Sequence, residues 1–262
     1  MTTVTAPGTT APGRVPALAR PSLPQLVRIE LRKSWDTRAG RWLLIAIGLA
    51  ALGVVAISLF VEDAPKAFAD YFSFTQLPVG ILLPVLGILL VTSEWSQRTA
   101  MTTFTLVPRR SRVLTAKMLA ASVLGVLGAG AAAVAAGLAT VLTPVVTDQG
   151  ADWSLPGAQV GQVLLLQVLF VLSGVAFGML LLSSPLAIVT YFVLPTVFTI
   201  LVNLVGALDW VRDWLDLGTT TTPMFHGDLD GPGWLQLATS AALWILLPVV
   251  VGWLRIRRAE IA

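Results

Sequence analysis

The stretch LPVGILLPVLGILLVT (77–92), SEWSQRTAMTTFTLVPRRSRVLTAK (93–117), MLAASVLGVLGAGAAAVAAGLATVL (118–142) decides the fold. Its two outer runs hold no Lys, Arg, Asp or Glu, while the middle segment is polar and strongly basic. A helix rises 1.5 Å per residue, so roughly 20 apolar residues cross the ~30 Å hydrocarbon layer of a bilayer. Each charged residue near the midplane costs about 2.5–3.5 kcal/mol on insertion scales. The outer runs therefore read as membrane helices, and the middle segment as a polar loop between them.

Four more such runs occur outside this stretch, at Trp42–Val61, Gly161–Leu182, Leu186–Leu208 and Leu235–Leu254. With Leu77–Thr92 and Met118–Leu142 they make six, and none contains a Lys, Arg, Asp or Glu. The run at 77–92 is the shortest, and a start nearer Phe72 is open to it. Composition agrees: 56% of the 262 residues are hydrophobic and only 12% charged, against roughly 25% charged in a soluble domain. The sequence predicts an all-α membrane protein with six transmembrane helices.

Orientation follows from the charges. Arg14, Arg20, Arg28, Arg32, Lys33, Arg38 and Arg41 precede the first run. Arg98, Arg109, Arg110, Arg112 and Lys117 lie between the second and third, and Arg255, Arg257 and Arg258 follow the last. These are fifteen of the 17 basic residues, leaving only Lys66 and Arg212 on the other side, where ten of the 14 acids fall. Basic residues stay on the cytosolic side, so both termini are predicted to be cytosolic. The same topological grouping accounts for the basic balance without nucleic acid as a partner.

Residues 1–21, rich in Thr, Pro, Ala and Gly, read as a disordered cytosolic tail. Residues 22–40 follow as a helix, with Ser22 as N-cap and Gln25 completing a capping box. Leu26, Val27, Leu31 and Trp35 fall on one face, with Arg28, Arg32 and Lys33 largely around the other. That pattern predicts an interfacial helix lying flat on the cytosolic leaflet, although a basic anchor serving topology alone gives the same charges. Residues 41–262 form the membrane domain. Ser183-Ser184-Pro185 makes a tight turn, and an external loop spans 209–234. In that loop Asp209–Leu215 is expected as a short interfacial helix and 219–233 as a polar loop.

Catalysis finds no support in the residues. There is no G-x-x-x-x-G-K-[ST] phosphate loop, no cysteine, and one histidine, His226, in a connecting segment. Ser173-Gly174 in the fourth run resembles an intramembrane serine protease, but Val171 stands where its usual glycine would be and His226 lies in an external loop rather than a helix. No span holds an acid for a proton relay. Polar residues inside the spans form two stripes, Thr196, Thr199 and Asn203 in one, and Gln167, Gly174 and Gly178 in the other. Helix packing explains these stripes; a transport path or dimer seam at Gln167, Thr196, Thr199 and Asn203 is the functional alternative. Pro84, Pro195 and Pro248 lie within spans, as static kinks or hinges.

In the 93–117 loop, Ala100, Met101, Phe104 and Val107 share one face of a short helix, with Arg98, Thr102 and Thr105 on another and Pro108 ending it. Topology explains Arg109, Arg110, Arg112 and Lys117 but not this apolar stripe. The segment resembles the first intracellular loop of type-2 ABC transporter permeases of the drug and natural-product export class. That family's order is a Glu leaving the second helix, a Gly-Thr pair, a Leu-rich turn, a Pro or small residue, an Arg, and a Lys opening the third helix. Glu94, Thr99, Leu106, Pro108, one of Arg109 to Arg112, and Lys117 fill those places, while Arg98 stands where the glycine usually does. The order of helices from about Leu23 onward resembles the family as well.

The resemblance implies a permease subunit in a bacterial cell membrane, coupled to a separate ABC-type ATPase that carries the ATP and Mg, with no cofactor in this chain. It implies a second permease copy, identical or closely homologous, and export of a lipophilic or amphipathic small molecule such as an antibiotic. ATPase coupling is expected at Glu94, Arg98, Thr99, Met101, Phe104, Leu106, Pro108, Arg109, Arg110, Arg112 and Lys117. On the residues alone, a self-contained carrier or channel and a non-transporting scaffold or sensor remain open.

Overall fold

A computed structural model describes residues 22–62, 64–96 and 110–258. The chain is helical: α1 Leu23–Asp36, α2 Arg38–Phe60, α3 Phe68–Ser96, α4 Arg110–Val146, α5 Gly157–Leu181, α6 Ser184–Leu204, then the short α7 Asp209–Leu215 and α8 Leu217–Thr221. The last rod is α9 Gly231–Ala241 and α10 Leu247–Arg258, joined without a break by a π-helical turn at Ala242–Leu246. Among the described residues the only β pairing is the isolated bridge between Ala67 and Asp152. Six helices, namely α2 to α6 and the α9–α10 rod, are long and apolar enough to cross a membrane.

The second of the six is not the short one expected. It has 29 residues and starts at Phe68, ahead of even the earlier start near Phe72. Polar residues at 70–76 weaken the apolar signal there, but Tyr71 and Thr75 find partners within the fold. The Tyr71 hydroxyl meets Thr143 Oγ1 at 3.0 Å, and Thr75 Oγ1 donates to the Tyr71 and Ala132 carbonyls. A buried polar group that keeps its hydrogen bonds need not be expelled from a helix. Lengthening also brings Asp70, Glu94 and Lys117 inside α3 and α4, near helix ends that the apolar runs had left out.

α3 and α5 form the central pair, with α4 beside both. Backbones touch where glycine permits it. A Cβ on Gly174 would collide with the Pro84 carbonyl, and one on Gly87 would come within 2.6 Å of the Val171 carbonyl. Small residues at such crossings let helices associate by packing where lipid supplies no hydrophobic drive. α2 and α6 are peripheral: only 22% and 11% of their most apolar windows are buried, against 61% for α5.

Helix ends are closed by identifiable groups. Thr37 Oγ1 accepts from the Gly40 N–H at 3.1 Å to start α2. The far end of α2 is capped by Lys66, buried, whose Nζ donates to the Ser58, Leu59 and Val61 carbonyls at 3.1, 3.4 and 2.8 Å. A cation against the last carbonyls complements the negative end of the helix dipole. Between α5 and α6, Leu182 takes φ 55°, which turns the chain sharply before Ser184 begins the next helix.

The segment 219–233 departs from the expected polar loop. Part of it is helical: α8 runs into a 3₁₀ turn at Thr222–Phe225, and Gly231 already opens α9. Asp216 caps α8, accepting from the Thr219 N–H at 3.0 Å, and Met224 is fully buried. Gln159 Nε2 holds the turn by donating to the Phe225 carbonyl at 2.9 Å, and Gln162 brackets Leu229. α7 forms at Asp209–Leu215 as expected.

Candidate functional site

Four charged side chains meet where α1, α3 and α4 converge. α1 starts where Ser22 and Gln25 place it; the Ser22 N–H donates to Gln25 Oε1 at 2.8 Å, and Pro24 occupies the first turn. From that start, Leu26, Glu30 and Ser34 fall on the buried face one turn apart. Val27 and Leu31 are half-buried beside them, whereas Trp35, at the edge of an apolar groove with Leu44 and Ile47, is 66% exposed. Trp35 is thus not part of the packed stripe, and the acid Glu30 takes a place within it.

Glu30 receives two lysines. Lys117 Nζ donates to Glu30 Oε2 at 2.8 Å and Lys33 Nζ to Glu30 Oε1 at 2.8 Å. Glu94 closes the ring, with its Oε1 2.8 Å from Lys33 Nζ and 3.2 Å from Lys117 Nζ. Lys117 Nζ also donates to the Leu90 carbonyl at 2.7 Å. The ring therefore holds two ammonium groups and two carboxylates with no net charge. Lys117, Glu30 and Glu94 have side-chain exposures of 3%, 5% and 7%, while Lys33 at 41% is the one open to its surroundings. Burial alone would lower the Lys33 pKa, but the Glu30 and Glu94 carboxylates outweigh it and hold the pKa above its ordinary value.

Buried ion pairs are seldom a net source of stability, because desolvation offsets the Coulomb gain; their best attested role is to fix one arrangement. Here the arrangement fixed is the exit of α3 and the entry of α4 against α1. Ser96, which ends α3, is tied further by its hydroxyl at 3.3 Å from Ser184 Oγ, which also lies 2.7 Å from Thr92 Oγ1.

Of the coupling residues expected from the sequence, Glu94 and Lys117 are brought together. Arg112 lies half-buried in the first turn of α4, and Arg110 opens that helix. Arg98, Thr99, Met101, Phe104, Leu106, Pro108 and Arg109 lie outside the described residues. Glu30 and Lys33 were missed as site residues. The available signal was an acid set among Leu26, Val27 and Leu31 in a stretch otherwise basic.

The second set of candidates is split. Gln167 is fully buried between α3 and α5, its Nε2 donating to Gln76 Oε1 at 2.9 Å. Thr196 and Thr199 lie on α6 beside a groove, with Thr199 Oγ1 donating to Asp216 Oδ1 at 2.6 Å. Asn203 is exposed and donates to the Thr199 carbonyl at 2.7 Å. The stripe on α6 thus holds together, but Gln167 is not part of it. No group of three or more His, Cys, Asp or Glu that could hold a metal ion occurs among the described residues.

No protein-family model matches the chain, and no curated protein does either.

Proposed function

We propose that the chain is the membrane-spanning subunit of an ATP-driven exporter, driven by a separate ABC-type ATPase that carries ATP and Mg. The observation that carries this reading is the Glu30–Lys33–Glu94–Lys117 ring. It fastens both ends of the basic 93–117 segment to α1, so a push on that segment is delivered to α1, α3 and α4 together rather than absorbed by a slack loop. A mere topology signal needs positive charge but no such bracing.

In this reading both termini and the 93–117 segment are cytosolic, α1 is an interfacial helix, and 209–234 is external, in the cell membrane of a bacterium. Arg109, Arg110 and Arg112 grip the ATPase, with Met101, Phe104 and Leu106 supplying the apolar contact. A second copy of this chain or a close homologue covers part of α2 and α6, whose apolar faces are otherwise left to lipid. The cargo is a lipophilic or amphipathic small molecule.

The test is to replace Arg109, Arg110 and Arg112 together by Gln in cells and measure ATPase co-purification and cargo efflux at equal expression. The reading expects both to fall to background. Recovery of the ATPase at wild-type yield with unchanged efflux would overturn it. Flux in proteoliposomes containing this chain alone would make it a self-contained carrier, and a stable ATPase complex without flux would make it a scaffold.

A further inference from the structure

Between α3, α5, α6 and the π turn of the last rod lies a groove of about 390 Å³. Its volume is within the ~300–1,000 Å³ typical of small-molecule sites. Phe170, Tyr191, Phe192 and Trp244 wall it, and Gln76 and Thr196 face each other across it from α3 and α6. Tyr191 and Phe192 meet edge-to-face, with 5.0 Å between ring centroids. No Asp, Glu, Lys, Arg or His lines the groove among the described residues. The Asp216 carboxylate behind Thr199 is already held by Thr199 and by the Thr219 hydroxyl at 2.6 Å.

Two polar groups here are unspent. Gln76 is fully buried and its Nε2 has no hydrogen-bond partner, although its Oε1 is engaged by Gln167. Beside it the Gln167 Oε1 acceptor is equally unmet. A buried donor left unpaired costs roughly 1–3 kcal/mol, so native structures rarely keep one without a use. Gln76 lines the groove opposite the α6 wall, the least buried of the spans, so a ligand seated there lies next to this amide.

We propose that this groove binds an uncharged, ring-bearing small molecule that presents a hydrogen-bond acceptor, such as a carbonyl or ether oxygen, to Gln76 Nε2. The proposal rests on the transport reading above and names the chemical class of its cargo. Aromatic faces hold the apolar body, and the buried amide selects for the oxygen. A cation gains the aromatic faces but finds no carboxylate, and inside a membrane an unpaired charge is expensive.

The experiment uses the full-length chain in phosphatidylcholine nanodiscs, without an ATPase, so failure of the ATPase assignment leaves its result standing. Three probes are titrated against empty nanodiscs: Nile red (uncharged, with a carbonyl), rhodamine 6G (cationic) and diphenylhexatriene (no acceptor). Saturable binding is expected for Nile red and absent for rhodamine 6G. Gln76→Leu should weaken Nile red by roughly five- to tenfold, the loss of one hydrogen bond, and leave diphenylhexatriene unchanged. Thr196→Trp, on an exposed position, should fill the groove and abolish Nile red binding without touching the buried amide. Unchanged Nile red affinity in either variant, or rhodamine 6G binding as tightly as Nile red, would overturn the proposal. So would loss of self-association in Thr196→Trp with Nile red binding intact, because the groove would then be the seat of a second copy.

Discussion

Lys117 and Glu30 are 87 residues apart in the chain, yet Lys117 Nζ lies 2.8 Å from Glu30 Oε2 with both side chains almost fully buried. Removing one member of such a pair strands the other. Lys117→Met is expected to destabilise the fold by about 3–5 kcal/mol, whereas replacing both residues by apolar ones of similar size should recover most of it. Thermal unfolding of the single and double variants in detergent checks this. Equal losses in Lys117→Met and in the Lys117→Met/Glu30→Leu double variant would show that a stranded Glu30 carboxylate is not the source of the cost.

The ring also fixes a pH response. The Lys33 pKa is raised by its two carboxylates, so the folded state holds that proton more tightly than the unfolded chain does. Lys33 therefore contributes fully below the unfolded value of about 10.4, and its contribution fades as pH climbs through the raised folded value. The melting-temperature gap between wild type and Lys33→Met should stay level from pH 7 to 9 and narrow only above pH 10. A gap that closes below pH 8 contradicts the assignment.

Gly174 and Gly130 make a matched pair of predictions. A methyl on Gly174 meets the Pro84 backbone, while one on Gly130 meets nothing within 4 Å. Gly174→Ala is expected to cost about 1–3 kcal/mol by overpacking. Gly130→Ala should be neutral or gain up to about 1 kcal/mol, since alanine suits a helix better. Unfolding curves of the two variants decide it.

Lys66→Met should leave three carbonyls at the end of α2 without their donor. Hydrogen exchange of the amides in the last turn of α2 is expected to quicken by about tenfold, with the centre of the helix unaffected, as for other lost caps. Uniform change along α2 would point to global destabilisation instead.

The apolar runs made the six long helices legible, because length and the absence of charge are local properties that sequence displays directly. Where the readings failed, pairing across elements was the cause. The stretch from Asp70 to Gln76 looked too polar for a span because the partners of Tyr71, Thr75, Ser73 and Gln76 come from other helices and turns, Thr143 and Ala132 of α4 and Gln159 and Gln167 of α5 among them. The Thr219–Gly233 segment looked like a loop because its anchors, Gln159 and Gln162, belong to α5. Glu30 was hidden for the same reason, since Lys117 lies three helices away. Glu94 and Lys117 were legible only as two ends of one loop; the residues that bind them to α1 were not.

In the proposed function the 93–117 segment is gripped by a nucleotide-binding partner. The chain contains no cysteine to complicate site-directed chemistry, and Phe104 is the central residue of the apolar stripe expected from the sequence. The most direct measurement places a photo-crosslinking amino acid at Phe104 in living cells and identifies the captured chain by mass spectrometry. The captured chain is expected to bear a G-x-x-x-x-G-K-[ST] phosphate loop, with capture reduced severalfold when Arg109, Arg110 and Arg112 are replaced by Gln. Capture of lipid alone, or of a chain without a nucleotide-binding motif, would contradict it.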